Sequence, residues 1–117
     1  AGAMLSVRGE SPQAVANLDG IAAVPGLDVV CIGPQDLSIN LGIPGQVDHP
    51  TFIETVKQIV ATCTKYNIPV GMVSRDATTF RQWHGLGIRF LVCNSDGNYI
   101  AQGAARDVQI LREIVGT

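Results

Sequence analysis

Val29-Val30-Cys31-Ile32 is a run of four apolar residues, closed on one side by Asp28 and on the other by Gly33-Pro34. Its brevity and its β-branched residues read as a strand, and the lack of polar alternation reads as one buried on both faces. Strands of that kind sit in parallel sheets whose crossover helices cover them. The flanks should then be helical.

They are, by pattern. Upstream, Met4 to Val7 reads as a first strand, and Ser11-Pro12 supplies an N-cap followed by proline in the first helical position. Ala14, Val15, Leu18, Ile21 and Ala22 then follow at helical spacing until Pro25-Gly26 stops the helix. Downstream, a loop rich in glycine and proline runs from Gly33 to about Pro50, and so long a loop is usually functional. A helix opens near Pro50-Thr51 with Phe52, Val56, Ile59, Val60 and Cys63 on one face. Ile68 to Val73 is a third strand, Asp76 caps a helix through Phe80 and Trp83 to Gly85, and Arg89 to Cys93 is a fourth strand. The last helix, Tyr99 to Val115, carries Ile100, Ala104, Val108, Leu111 and Ile114 or Val115 on its apolar stripe.

Four consecutive βα units imply an α/β fold, a parallel sheet with right-handed crossovers, within a single domain over residues 1–117. Neither GxGxxG nor GxxxxGK followed by Ser or Thr occurs, so the nucleotide-binding versions of this architecture lose their main support. A small open sheet and a piece of a TIM (β/α)8 barrel remain. A whole barrel takes ~250 residues, and this length is about half of one.

Composition narrows the partners. Hydrophobic residues make up 46% and charged ones 15%, enough for a core and far from disorder. The net charge of -2 is spread without a basic stripe, which argues against nucleic acid. No apolar run approaches the ~18–20 residues of a membrane span. Ala1-Gly2-Ala3-Met4 lacks the charged and apolar regions of a signal peptide, and residues 1–3 read as a cloning remnant ahead of a genuine Met4. Cys31, Cys63 and Cys93 lie in apolar stretches with no CxxC pairing, which fits buried free thiols in a reducing cytoplasm better than a zinc site.

Ligands of such folds bind beyond the C-terminal strand ends. The polar residues there are Glu10, Asp36, Ser74 to Asp76 and Asn94 to Asp96. Adjacent parallel strands lie ~4.8 Å apart, so carboxylates at neighbouring ends can share one cation. An acid after a strand is more often a helix cap or a solvated loop residue, and spacing alone does not separate the two.

The run SVRGESPQAVANLDGIAAVPGLDVVCIGPQDLSINLGIPG, residues 6–45, with His49-Pro50 beyond it, resembles the HpcH/HpaI family of 2-oxo acid aldolases in order and spacing. G-P-x-D-L-S with its flanks is the most specific part, and IPVGM and FLVCNSDGNYI resemble the family's seventh and eighth strands. The resemblance implies the C-terminal half of the barrel and a metal-dependent lyase acting on pyruvate-like or oxaloacetate-like 2-oxo acids. It implies that Glu10 and Asp36 ligate a divalent metal (Mg²⁺, Mn²⁺ or Co²⁺). It also implies that Gly33, Pro34, Gln35 and Asp36 lie against the substrate, whose carboxylate meets backbone N–H groups at a helix start.

The sequence departs from the family in instructive places. Arg8 stands where the family has glutamine, Gly9 where it has a branched residue, and Asn94 where glycine is usual. The family's carbonyl-polarising arginine and its histidine base belong to the barrel's first half, outside these residues. His49 reads as a capping or loop residue, and His84 as a helix-end residue complementing the dipole. Arg8 either pairs with Glu10 or Asp36, or takes over the polarising role, which makes it a candidate catalytic residue. Ser38 and Asn40 read as loop hydrogen-bonders, and Phe80 and Trp83 as core.

Half a barrel would leave two raw edges and an uncovered inner face, both of which invite association. The expectation is a homodimer that closes eight strands, or a domain-swapped variant of it. Three readings stay open: a lyase, a module that binds metal and 2-oxo acid without turnover, and a fragment that needs a partner chain.

Overall fold

A computed structural model describes residues 2–117; Ala1, part of the stretch read as a cloning remnant, lies outside them. The strands are β1 (Ser6–Arg8), β2 (Val29–Ile32), β3 (Val70–Ser74) and β4 (Phe90–Cys93). The helices are α1 (Pro12–Ala16), α2 (Leu18–Ala22), α3 (Pro34–Asn40), α4 (Pro50–Lys65), α5 (Phe80–Gly85) and α6 (Asp96–Val115). The strands lie in the order β1-β2-β3-β4, every neighbour pair parallel, with Val7 opposite Val30, Val30 opposite Val70 and Met72 opposite Leu91. Consecutive strands are therefore adjacent, the α/β arrangement of a barrel segment.

Local chemistry explains most element starts. Ser11 Oγ accepts from Ala14 N at 3.1 Å ahead of Pro12, and the helix then breaks into α1 and α2 at Asn17. β1 begins later than expected because Asp28 takes Leu5 into a side-chain bond, its Oδ2 accepting from Leu5 N at 2.7 Å. The stretch after Gly33 corrects the reading of a continuous loop. Gly33 is the N-cap of α3, Pro34 presets its first turn, and Leu37 and Ser38 are buried. Ser38 Oγ donates to Gln35 O at 2.7 Å and accepts from Gly45 N at 2.9 Å, so this hydroxyl ties α3 to the turns that follow.

The core sits between α4 and the middle strands. Phe52, Val56, Ile59 and Cys63 of α4 meet Val30, Ile32, Val70 and Met72, and Trp83 lies on Phe52 with ring centroids 5.8 Å apart. Burying each such large side chain stabilises the fold by roughly 1.5–3 kcal/mol.

The far side is different. All of β2 is buried, but β4 alternates and Leu91 is 41% exposed, so the expectation of strands covered on both faces fails at the edge. Cys93 is exposed, against the expectation that every thiol is buried. None of α6 is buried, and Ile100, Val108, Leu111 and Ile114 all face outward. The chain measures 60 × 40 × 22 Å with a radius of gyration of 17.6 Å, against ~13 Å for a compact 100-residue domain. No helix among the described residues is long and apolar enough to cross a membrane.

Candidate functional site

The ladder between β1 and β2 extends past Arg8, because Gly9 N donates to Cys31 O at 2.9 Å. Arg8 and Glu10 therefore alternate to the same side of the extended chain. Asn40 Nδ2, at the end of α3, donates to Glu10 O at 2.7 Å and holds the Glu10 backbone in place. Asp36 sits in the first turn of α3, directly after β2. Two adjacent strands thus deliver three charged side chains to one end of the sheet.

Those three side chains meet. Arg8 Nη2 lies 2.5 Å from Glu10 Oε1 and 3.6 Å from Asp36 Oδ2. The side chains of Arg8 and Asp36 are 61% and 55% exposed, whereas that of Glu10 is only 25% exposed. Glu10 Oε1 itself is buried and accepts no aligned hydrogen bond, so its contact with Arg8 is Coulombic. Gly33 makes room for the pair. A Cβ there would collide with Glu10 Oε1 and stand 2.8 Å from Arg8 Nη2.

Beyond these strand ends opens a cleft of about 720 Å³, lined by Arg8, Gly33 to Asp36, Val47, Ser74 to Asp76 and Trp83. Glu10 is not part of its wall, although its Oε1 contacts Arg8, which is. Of the polar strand-end residues, Ser74 to Asp76 reach the cleft, while Asn94 to Asp96 turn away to start α6, which Ser95 caps by accepting from Asn98 N. Asp76 accepts from the hydroxyl of Thr78 at 2.7 Å and from its backbone N–H at 2.9 Å, bonds that hold its carboxyl below the ordinary value.

His49 is the N-cap of α4, its Nδ1 accepting from Thr51 N at 3.1 Å, and His84 lies in the last turn of α5. Neither lines the cleft. Trp83 belongs to the core, as its helical spacing suggested, but one side of it also forms the cleft floor. Sequence reasoning missed Gly33 as a close-approach position and Asn40 as the anchor of Glu10. Both depend on contacts across 23 to 30 residues of chain, which no local pattern carries.

Among the described residues, no group of three or more His, Cys, Asp and Glu side chains could hold a metal ion. A cation here would have two protein carboxylates, and waters or substrate oxygens would complete its shell.

A profile of the HpcH/HpaI aldolase/citrate lyase family matches residues 3–102. The hydroxypyruvate/pyruvate aldolase of Sagittula stellata is 36% identical over 100 residues, which cover 86% of this chain and 40% of that enzyme. The crystal structure of the HpcH/HpaI aldolase from Desulfitobacterium hafniense superposes with a TM-score of 0.84 at 29% identity, covering 94% of this chain and 43% of that one. The citrate lyase β subunit of M. tuberculosis, solved with oxaloacetate and magnesium, shares the fold at a TM-score of 0.65 and 16% identity, covering 84% of this chain and 50% of that one. The present chain spans half or less of each of these relatives.

Proposed function

Since the chain belongs to the HpcH/HpaI aldolase/citrate lyase family, we propose that it contributes the metal- and carboxylate-binding half of a carbon–carbon lyase acting on small 2-oxo acids such as pyruvate or oxaloacetate. The observation that carries this reading is the convergence of Glu10 and Asp36 on one nitrogen of Arg8. Two carboxylates that reach one guanidinium nitrogen can reach one cation.

The donor set fits a hard divalent ion. Glu10 Oε1 is buried without a hydrogen bond, Gly33 leaves space at that atom, and both ligands are oxygen donors of the kind Mg²⁺ or Mn²⁺ takes, with Co²⁺ as a substitute. Bound there, the ion supplies Lewis acidity toward the 2-oxo group and the enolate that carbon–carbon cleavage leaves. The chain's own residues do the rest of the work on this face. The first N–H groups of α3, at Gln35 and Asp36, have no intrahelical acceptor and are free to receive a substrate carboxylate in this reading. Arg8, on the same wall, offers a cation to a substrate oxygen. Trp83 and Val47 keep part of the cleft apolar.

Among the described residues, neither His49 nor His84 lines the cleft as a general base. A second reading therefore has specific support: a module that binds metal and 2-oxo acid without turnover. Completion by a second copy would close the barrel, and the bare β1 and β4 edges and the unburied α6 support that arrangement. The 40% coverage of the Sagittula enzyme supports the rival completion by a partner bearing the first strands. Two buried free thiols suit a reducing cytoplasm.

Calorimetric titration with Mn²⁺ and then pyruvate, beside an oxaloacetate decarboxylation assay, tests the proposal. Binding with turnover supports the lyase, and binding alone selects the module. Failure of Mn²⁺ to bind, or binding that survives Glu10→Ala, overturns both. Sedimentation at micromolar concentration tests the second copy, and a monodisperse monomer would exclude it.

A further inference from the structure

Arg8 stands where a divalent ion shared by Glu10 and Asp36 would have to stand. Its Nη2 touches both carboxylates, at 2.5 and 3.6 Å. Arg8 and Asp36 line the cleft, whereas Glu10 does not and is the less exposed carboxylate, at 25% against 55% for Asp36. The contact is crowded as well as charged. Gly33 is the one residue type that lets Glu10 Oε1 and Arg8 Nη2 lie this close to the backbone of β2's end. Yet the arrangement is not locked, since Glu10 Oε1 makes no aligned hydrogen bond and the Arg8 side chain is 61% exposed. Exposed ion pairs of this kind are weak, worth a factor of about two to five in an equilibrium. They can be opened by a competitor of higher charge.

We infer that Arg8 is a displaceable internal cation: it offsets one of the two negative charges of Glu10 and Asp36 in the metal-free chain, leaves when a divalent ion enters, and then serves the cleft as a binding group for an anionic ligand. Rigid occupation by both cations at once is excluded by their mutual repulsion at such distances. The displaced guanidinium needs to travel little, because it already forms part of the cleft wall. There its planar fork suits a carboxylate, which two N–H groups can hold in parallel. The consequence is a coupling between two ligands. Metal binding frees the group that holds the acid, so the acid binds better to the metal-loaded chain than metal chelation alone accounts for. This inference rests on the metal reading of Glu10 and Asp36.

The test separates the two. Mn²⁺ alone is titrated calorimetrically into the wild-type chain, Arg8→Gln, Arg8→Lys and Glu10→Ala, with far-UV circular dichroism and a thermal melt confirming that each variant is folded. Oxalate is then titrated into each Mn²⁺-saturated protein. Arg8→Gln removes the competing charge and should bind Mn²⁺ roughly two- to fivefold more tightly, while its oxalate affinity at saturating Mn²⁺ falls about tenfold. Arg8→Lys keeps the charge and should stay within about threefold of wild type for Mn²⁺ but lose oxalate affinity with the fork geometry. Opposite signs in the two titrations are the signature. Mn²⁺ affinity in Arg8→Gln equal to or weaker than wild type, with Glu10→Ala still abolishing binding, overturns the role of Arg8 alone. Unchanged Mn²⁺ affinity in Glu10→Ala overturns the metal reading and this inference with it.

Discussion

α4 and α6 are both amphipathic and both long, yet one is the centre of the core and the other touches almost nothing. α4 buries Phe52, Val56, Ile59 and Cys63 against β2 and β3. α6 carries a comparable apolar stripe and leaves Ile100 73%, Leu111 58% and Ile114 74% exposed. The strands that precede them differ in the same way, β2 wholly buried and β4 alternating. Periodicity states which face of a helix avoids water. It does not state whether the surface that face needs belongs to the same chain.

The largest expected effect sharpens this contrast. Phe52→Ala should lower stability by about 3–5 kcal/mol in chemical denaturation, because it empties a filled site beside Trp83. Leu111→Ala should cost less than about 0.5 kcal/mol at protein concentrations where the chain is monomeric. Equal costs would break the comparison.

If a second copy covers α6, Leu111→Glu should shift the sedimentation profile from dimer to monomer and leave the far-UV spectrum unchanged. An unchanged profile would mean the stripe is not the contact. Thiol chemistry probes the same boundary more gently. Burial pushes the Cys63 thiol up to about 11, so at pH 8 it stays protonated and shielded, while exposed Cys93 should react with Ellman's reagent within minutes. The sign follows from the raised value: any stability tied to the protonated Cys63 is complete below its ordinary 9.0 and fades as pH rises through about 11.

The smallest effect lies at the cleft rim. Asp76 is held below its ordinary value of 3.8 by the Thr78 hydroxyl and then by the Thr78 backbone. Its contribution is therefore present above pH 3.8 and is lost as pH falls through the lowered value. Asp76→Asn should flatten that acid limb slightly in a pH series of melts. A limb identical to wild type would remove Asp76 from the account.

Much of the centre was legible beforehand. Val29 to Ile32 is a buried strand at the expected residues, Ser11 and Asp76 cap as read, and His49 opens α4. The run after Gly33 reads as loop by composition, because Gly33-Pro34 looks like a stop, whereas proline in the first turn of a helix is also a start, as the family resemblance implies here. The outward Cys93 and Leu91 were read as buried because an edge strand and a central strand share one apolar vocabulary. At the site, Glu10 and Asp36 were identified with a common destination, and of the two readings of Arg8 the pairing one is realised in the structure.

The sequence by itself determined the order of the strands and of the long helices, the apolar face of each long helix, and the two acids at the ends of neighbouring strands. These follow from period, caps and turn residues, all local properties of the chain. Tertiary structure alone decided that Arg8 lies across both acids, that Gly33 must lack a side chain, that Asn40 anchors Glu10, and that α6 stands uncovered. Each depends on distances between residues far apart in the chain, and such distances exist only once the sheet has formed.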